Sequence, residues 1–289
     1  MSGTLFNNVA VIGVGLLGGS LALALKEKKL CGRVTGIGRS QTRLDEAKRM
    51  GAIDKATTRL SSGIADADLI VICTPVQHII SVLPDVIRHA RAGALITEVG
   101  STKTGIVRTG EAVAARSRAF FVGSHPMAGT EKIGVQYAQP DLFKGANCFV
   151  TKTPATNMSA FVRVCDLWRA LDMRIVISRP ERHDRLVALV SHLPHLVSVA
   201  LVNAIDGFQE DKNLIKGIIG NGFRDTTRIA HGNAAMWEEI SAENTDEIGA
   251  THAAFNKALE EIMTAASSDK RKLKTLFEAA SNYREFFDE

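Results

Sequence analysis

The sequence has few of the residues that mark special classes of protein. Of its 289 residues only seven are proline and 6% are aromatic, whereas 45% are hydrophobic, so extended disorder is not expected. The four cysteines are scattered, and no two of them form a Cys-x-x-Cys pair. This usage argues against a disulfide framework or a zinc site and is typical of small buried side chains in a reducing cytoplasm.

Runs of one charge and features of membrane or secreted proteins are not expected either. We expect no apolar run long enough to span a membrane, and no basic segment precedes the first apolar run, so neither a membrane span nor a signal peptide is predicted. The 35 Lys and Arg residues barely outnumber the 31 Asp and Glu residues. Nucleic acid and membranes are therefore not expected as partners, and the slight positive excess fits a cytoplasmic enzyme with an anionic small-molecule substrate.

Two different patterns divide the chain near residue 178. Up to that point, short β-branched apolar runs alternate with helical patterns, which predicts a doubly wound α/β domain of parallel strands and crossover helices. The predicted strands are residues 9–14, 34–37, 69–73, 95–99, 120–122 and 149–151. The predicted helices are residues 16–28, 42–50, 77–90 and 103–115. Residues 1–178 are therefore predicted as one domain.

Strand patterns stop after about residue 180. Residues 184–205 form a long apolar segment interrupted only by Pro194, which predicts a buried helix kinked at that proline. Residues 245–266 and 272–287 repeat apolar positions at helical spacing and are predicted as amphipathic helices. Because these helices are too apolar for one small bundle, some of their surface is expected to be buried against a second subunit. We predict residues 179–289 as an all-α dimerisation and substrate domain.

A glycine motif follows the first predicted strand and opens the first predicted helix. Gly13, Gly15 and Gly18 form a G-x-G-x-x-G sequence, which permits a tight turn, the approach of a pyrophosphate and close packing of helix on strand. The helix start at Leu16 and Leu17 then offers free N–H groups to the phosphates. We predict a dinucleotide site here; the alternative is that the glycines serve packing alone.

The end of the second predicted strand distinguishes NADP from NAD. NAD sites place an Asp or Glu there to bind the ribose 2′-hydroxyl, but this sequence has Arg39 and Ser40, with Arg43 close behind. Their donors favour a 2′-phosphate, so NADP is the preferred cofactor. NAD is the alternative if Arg39 only stacks on the adenine. Thr74 and Pro75, after the third predicted strand, are expected to approach the nicotinamide ribose.

Polar side chains follow two further predicted strands. Ser101 comes after residues 95–99, and His125 comes after residues 120–122. Ligands bind outside the carboxyl ends of parallel strands, so one crevice is expected to hold both, together with the carboxylate of Glu131. A histidine there is the natural general base for oxidising an alcohol, and Ser101 would orient it or the substrate hydroxyl. The alternative is that His125 only caps the following turn.

The helical half offers further candidate ligands. His192 and His195, three residues apart, would also suit a metal pair, but no carboxylate pattern accompanies them, so no metal is predicted. Arg224 and Arg228 are four residues apart and suit the recognition of a carboxylate. Asp225 between them is predicted to cap a helix that starts after it. The alternative role for Arg228 is an ion pair with Asp225 of small energetic value.

Six segments carry a more specific signal. They are GVGLLGGS (13–20), EVGSTK (98–103), GSHPMAGTE (123–131), SHLPH (191–195), GFRDTTRIA (222–230) and Met236-Trp237. Together, in this order, they resemble the prephenate/arogenate dehydrogenase family, the cyclohexadienyl dehydrogenases of tyrosine biosynthesis. The resemblance covers nearly the whole chain, and HPMAGTE followed by DTTRIA is far more specific than the glycine motif. It implies a Rossmann domain, a helical dimerisation domain and NAD(P)-dependent oxidative decarboxylation of prephenate, arogenate or both.

The resemblance also implies roles for individual residues. His125 would accept the hydrogen bond of the ring hydroxyl, Ser101 would assist it, and Arg228 would hold the ring carboxylate. His195 and Ser191 would line the site. A gating or inter-subunit network would comprise Thr130, Glu131, Arg224, Asp225 and Trp237. The family includes NAD members with an acid at the end of the second strand, and Arg39 departs from that pattern.

Two alternatives to this function stay open. A β-hydroxyacid dehydrogenase or imine reductase has a similar two-domain architecture, but it would be expected to use a lysine or another acid–base group in the helical half. A non-catalytic dinucleotide sensor would keep the glycine motif and need no set of histidine, serine and arginine.

Overall fold

Six parallel strands form the larger of two sheets. A computed structural model describes residues 4–130, 132–208 and 211–287. The strands are β1 (Phe6–Ile12), β2 (Cys31–Ile37), β3 (Lys55–Thr57), β4 (Leu69–Ile72), β5 (Leu95–Glu98) and β6 (Phe120–Phe121). Their order is β3-β2-β1-β4-β5-β6, which is the order of a Rossmann-type sheet and confirms the predicted α/β fold class.

Helices cover both faces of this sheet. They are α1 (Leu16–Glu27), α2 (Gln41–Arg49), α3 (Leu60–Ile64), α4 (Val76–His89) and α5 (Thr104–Ala114). Successive strand residues alternate between two apolar clusters, as with Val71 in one and Ile72 in the other. The sheet is therefore buried on both sides, which is why its strands are continuous apolar runs in the sequence.

A second, three-stranded sheet follows, and the sequence did not predict it. Its strands are β7 (Ser124–Pro126), β8 (Asn147–Thr151) and β9 (Arg174–Ser178), with α6 (Met158–Ala170) between the last two. β7 is antiparallel to β8, and β8 is parallel to β9. The expectation that residues 149–151 continue the parallel sheet was wrong. β6 ends after two residues, and Ser124 starts a new strand that pairs with β8 instead of extending the first sheet.

The rest of the described chain is helical, which confirms the predicted all-α half. Its helices are α7 (Pro180–Val187), α8 (Leu193–Gly207), α9 (Lys212–Ile218), α10 (Asn221–Thr227), α11 (Ala234–Glu243), α12 (Thr245–Ser268) and α13 (Lys270–Glu285). A π-helical turn, Ala188–His192, joins α7 to α8, and a 3-10 turn, Arg228–His231, follows α10.

The long apolar segment has a π turn that ends two residues before Pro194, and the proline lies in the first turn of α8. One local prediction in this half was wrong. Asp225 lies inside α10 and does not cap a helix, because α10 already begins at Asn221 after Gly220.

The helix formed by α7, the π turn and α8 has two different sides. By length and composition alone, Pro180–Gly207 could cross a membrane, so the expectation that no apolar run is long enough for a span was wrong. However, His183, Asp184, His192 and His195 on it are buried against the rest of the chain, as in the core helix of a globular domain. On its other side large apolar residues are exposed, namely Leu189, Val190, Leu201 and Val202. An apolar face of the single chain is thus left open.

Candidate functional site

The glycine loop lies between β1 and α1 and has the shape of a phosphate cradle. Gly13 has a φ of +89° and donates its N–H to the carbonyl of Ile37 at 2.8 Å. A Cβ atom on Gly13 would come within 2.6 Å of Thr74 Cγ2, whereas one on Gly15 would meet nothing within 4 Å. Gly18 packs α1 closely against the backbone oxygen of Gly13. The open space at Gly15, before a helix of 12 residues, therefore fits a pyrophosphate.

The parallel register brings the predicted cofactor residues to one edge of the sheet. Ile12 is level with Ile37 on β2 and with Ile72 on β4, so the chain leaves all three strands at the same edge. The remaining members of the predicted set follow these strand ends. They are Leu16 and Leu17 at the start of α1, the exposed Arg39, Ser40 and Arg43 after β2, and Thr74 and Pro75 after β4.

Two of these residues also have local structural roles. The Ser40 hydroxyl accepts a hydrogen bond from the backbone N–H of Arg43 at 3.4 Å and so caps α2. Thr74 Oγ1 lies 3.0 Å from His78 Nδ1 in the first turn of α4. Because β2 and β4 flank β1, Arg39 and Thr74 follow strands on opposite sides of the glycine loop, where the two ends of a dinucleotide would lie.

A buried ion pair stands at the carboxyl end of β5. The side chains of Glu98 and Lys103 are both inaccessible to solvent, and the ammonium contacts both carboxylate oxygens. Lys103 Nζ also donates to the Ser124 carbonyl at 2.8 Å, and the Ser124 N–H donates to Glu98 Oε1 at 3.0 Å. The pair thus fixes β7, and with it His125, to the edge where the cofactor residues lie.

His125 lies on β7 opposite Phe149, and its imidazole is buried. Its Nδ1 is 2.9 Å from Nε2 of His183, and Nδ1 of His183 is 2.8 Å from Asp184 Oδ1. Burial, with smaller contributions from His183, Lys103 and His192, holds the pKa of His125 well below its usual value. The imidazole is therefore neutral at pH 7 and able to accept a proton.

The histidines of the helical half belong to the same contact network. Asn244 Nδ2 donates to the Asp184 carbonyl at 2.9 Å and lies 3.0 Å from His192 Nδ1. The rings of His195 and Trp237 stack with centroids 3.6 Å apart, and His192 meets the same indole edge-on. His125 and the helical-half histidines are thus connected through a short chain of direct contacts.

Helix α11 also contacts the cofactor side of the molecule. Glu239 accepts the backbone N–H of Gln77 at 2.9 Å, and Glu243 accepts a hydrogen bond from the Gln77 side chain. Gln77 lies in the first turn of α4, two residues after Pro75. One helix therefore carries Trp237, which stacks on His195, and the carboxylates that anchor the strand end expected to face the nicotinamide.

The other residues predicted for substrate contact are more loosely placed. Ser101 is half-buried in the loop after β5, and Ser191 is half-buried in the π turn. Three residues are exposed, namely Thr130, Arg224 and Arg228. Glu131 lies outside the described residues. Arg228 opens the 3-10 turn that leads to Gly232, and Gly232 packs against the His195 and Trp237 rings. Along the described ranges, no cluster of three metal-ligating side chains occurs.

Glu98, Lys103, His183 and Asp184 belong to the buried network but were not predicted as site residues. Glu98 and Lys103 carried a signal that could have been used, because a carboxylate in an apolar strand needs a buried partner. His183 and Asp184 carried none, since an adjacent His-Asp pair in a polar stretch indicates nothing by itself.

Both halves of the chain are similar to domains of one known protein family. Residues 21–177 match the model of the prephenate dehydrogenase nucleotide-binding domain, and residues 179–279 match the model of the prephenate dehydrogenase dimerization domain.

Individual relatives agree with these matches. Prephenate dehydrogenase of Bacillus subtilis is 34% identical over 284 residues, which are 96% of this chain and 76% of that protein. The crystal structure of Aquifex aeolicus prephenate dehydrogenase with hydroxyphenyl propionate and NAD+ has a TM-score of 0.88 at 29% identity, covering 97% of this chain and 98% of that one. Synechocystis arogenate dehydrogenase has a TM-score of 0.83 at 29% identity, covering 97% and 99%.

Proposed function

Because the chain belongs to the prephenate dehydrogenase family, we propose that it oxidatively decarboxylates prephenate, arogenate or both in tyrosine biosynthesis, with hydride transfer to NADP or NAD. The observation that carries the proposal is the buried His125 at the cofactor edge, in contact with His183 and connected through Asp184 and Asn244 to His192 of the helical half. The hydroxyacid dehydrogenase, imine reductase and sensor alternatives are not favoured, because both halves match this one family.

His125 is the base of the proposed reaction. It accepts the proton of the ring hydroxyl at C4, with Ser101 orienting that hydroxyl. Arg228 binds the ring carboxylate, and His195 and Ser191 line the pocket. Around its entrance lie Thr130, Glu131 and Arg224. The main tasks of these side chains are to align the C4 hydrogen with the cofactor and to hold an anionic substrate.

The reaction balances without a further reagent. The oxidised nicotinamide, when bound, supplies the hydride acceptor for C4. The hydroxyl proton passes to His125 while the C4–O bond becomes a carbonyl. The bond from the opposite ring carbon to its carboxylate then breaks, CO2 leaves, and the bond electrons complete the aromatic ring. The phenolate oxygen recovers the proton from His125, so the base returns to its neutral state.

A spectrophotometric assay that follows the absorbance of the reduced nicotinamide tests the function. Prephenate and arogenate are each assayed with NAD and with NADP. His125→Asn is expected to lower kcat by about 10²–10⁴-fold with little change in KM, because it removes the base and leaves the binding groups. His89→Asn, a surface substitution at the end of α4, is the control. A near-normal kcat for His125→Asn would eliminate the base assignment, and no turnover of either substrate by the wild type would eliminate the function.

NADP is the proposed preference between the two cofactors. Arg39, Ser40 and Arg43 are exposed at the end of β2, where they can contact a 2′-phosphate. Arg39→Asp is expected to change the ratio of kcat/KM for NADP to kcat/KM for NAD by at least about tenfold in favour of NAD. The substitution removes a hydrogen-bond donor to the 2′-phosphate and introduces an acceptor for the ribose 2′-hydroxyl. A wild type that prefers NAD, or a ratio unchanged by the substitution, would contradict this choice.

A cytoplasmic homodimer is the proposed assembly, with residues 1–178 binding the dinucleotide and residues 179–289 forming the contact between subunits. The exposed apolar side chains of Val190 and Val202 on the long helix support it, since such a surface is costly in water. Light scattering is expected to give twice the chain mass of 31.1 kDa. A monomer at micromolar concentration would contradict it.

A further inference from the structure

We propose that His183 and Asp184 are positioning residues that hold His125 with its proton on Nδ1, so that Nε2 is left as the acceptor for the substrate hydroxyl. This inference rests on the proposed function, and it adds two residues from the start of the helical half to the machinery. It stands on a linear array of three side chains, His125, His183 and Asp184, whose donors and acceptors fit in only one order.

Asp184 fixes one end of the array as an acceptor. Its Oδ1 accepts the backbone N–H of Lys103 at 2.7 Å, and its Oδ2 accepts that of Thr104 at 2.8 Å. Although burial acts to raise it, hydrogen bonds from His183 and Thr104 hold the pKa of Asp184 below its usual value. An ionised carboxylate can only accept, so Nδ1 of His183, 2.8 Å from Oδ1, carries the hydrogen.

The position of the hydrogen on His183 then determines its position on His125. Burial lowers the pKa of His183, although the hydrogen bond to Asp184 opposes this, so the ring is neutral at pH 7. A neutral imidazole with its hydrogen on Nδ1 has a bare Nε2, which can only accept. The contact of 2.9 Å therefore requires a donor on the other side, and that donor is Nδ1–H of His125. Nε2 of His125 is then the bare nitrogen.

The middle ring is held from other directions as well. The Phe149 ring meets His183 at 90° with centroids 4.8 Å apart, and Phe149 is the β8 residue opposite His125. The backbone carbonyl of Asp184 is held by Asn244. The His183 ring is therefore packed against the second sheet, and the backbone of the next residue is bonded to Asn244 at the start of α12, so the ring offers His125 a fixed partner.

The charges around His125 give the array a second consequence. The titratable groups that act on its imidazole are His183 on α7, Lys103 before α5 and His192 in the π turn, and the Cys148 thiol on β8 contacts its backbone. The Lys103 ammonium is already paired with Glu98. When His125 takes up the substrate proton, Asp184 acts through His183 as the carboxylate that stabilises the imidazolium, as the acidic member of a serine-protease triad does.

Three variants and one spectrum test the inference. His183→Phe keeps a ring against Phe149 but removes both nitrogens, and it is expected to lower kcat by about 10²–10³-fold with KM nearly unchanged. His183→Gln can present an amide oxygen to His125 Nδ1, and it is expected to recover at least about tenfold of that loss.

Asp184→Asn is expected to move the acidic limb of the kcat/KM profile to lower pH, because the charge that favours protonated His125 is gone. Asp172→Asn, at the exposed pair with Lys28, is the control.

The tautomer is measured directly, without turnover, by long-range ¹H–¹⁵N spectra of histidine-labelled protein, with His125→Asn to assign the signals. The wild type is expected to show a protonated Nδ1 and a bare Nε2 on His125. A protonated Nε2 in the wild type would overturn the inference even if the enzyme is active, and so would full activity with an unmoved pH profile in His183→Phe and Asp184→Asn. Failure of the proposed function shows itself differently, as a wild type that turns over neither substrate.

Discussion

Replacing Lys103 by methionine probes the buried centre that joins the two sheets. The side chains of Lys103 and Glu98 are both completely buried, and the ammonium also holds the carbonyl of Ser124. Lys103→Met leaves the volume nearly filled but removes the positive charge. Glu98 keeps the N–H donors of Gly100 at 2.7 Å and of Ser124 at 3.0 Å, and it loses its counter-charge.

The magnitude follows from the charge left behind. Breaking a buried pair by removing one partner costs about 3–5 kcal/mol of the free energy of unfolding, because a buried charge is left uncompensated. Burial already raises the pKa of Glu98 above its usual value of 4.5, and Lys103 supplies two of the effects that oppose this rise. In the variant the pKa therefore rises further, and the folded state holds a proton that the unfolded chain has released.

The sign of the pH dependence follows from this proton. When the pKa of a carboxyl is higher in the folded state than in the unfolded chain, the free energy of unfolding falls as the pH rises between these two pKa values. The fall is about 1.4 kcal/mol per pH unit. The loss in Lys103→Met is thus expected to be largest at about pH 8 and smaller by up to about 3 kcal/mol at about pH 5.5.

Urea unfolding followed by circular dichroism, at one fixed protein concentration, measures the effect. The double variant Lys103→Met with Glu98→Gln is expected to recover most of the loss, because it leaves no unpaired charge. Lys28→Met, which breaks the exposed pair with Asp172, is the matched control and is expected to cost no more than about 1 kcal/mol. A loss below about 1 kcal/mol at both pH values, or a double variant no more stable than the single one, would refute the reasoning.

Two further predictions concern the ligand sites. Arg228→Ala is expected to raise KM for the substrate by roughly 10²-fold with a smaller effect on kcat, because a charge-assisted contact is worth about 2–3 kcal/mol. Steady-state kinetics that show an unchanged KM would reject the role of Arg228 in binding the substrate carboxylate. Gly13→Ala is expected to weaken dinucleotide binding at least about tenfold, since the φ of Gly13 is +89° and a Cβ would lie 2.6 Å from Thr74 Cγ2. A fluorescence titration that gives an unchanged Kd, together with an unchanged melting temperature, would contradict the role of the glycine loop in binding the dinucleotide.

The two halves of the fold were predictable because their signals are local. β1 and β4 are short apolar runs followed by turns and helices, and the glycine motif occurs within one strand–helix junction. The second sheet was not predictable in the same way. β7 has three residues, and its partner β8 comes 20 residues after β7 ends, so pairing depends on contacts that no short window contains.

The sequence by itself determined the α/β half, the helical half and the identity of the groups that carry chemistry, because periodicity, glycine spacing and side-chain type are properties of the chain. Only the tertiary structure decided which groups share a proton path. His183 lies 58 residues from His125 along the chain and 2.9 Å from it in space, and the buried Glu98 and Lys103 join the two sheets beside them. Hydrogen-bond direction and desolvation depend on what surrounds a group after folding, so no pattern in the chain could assign these roles.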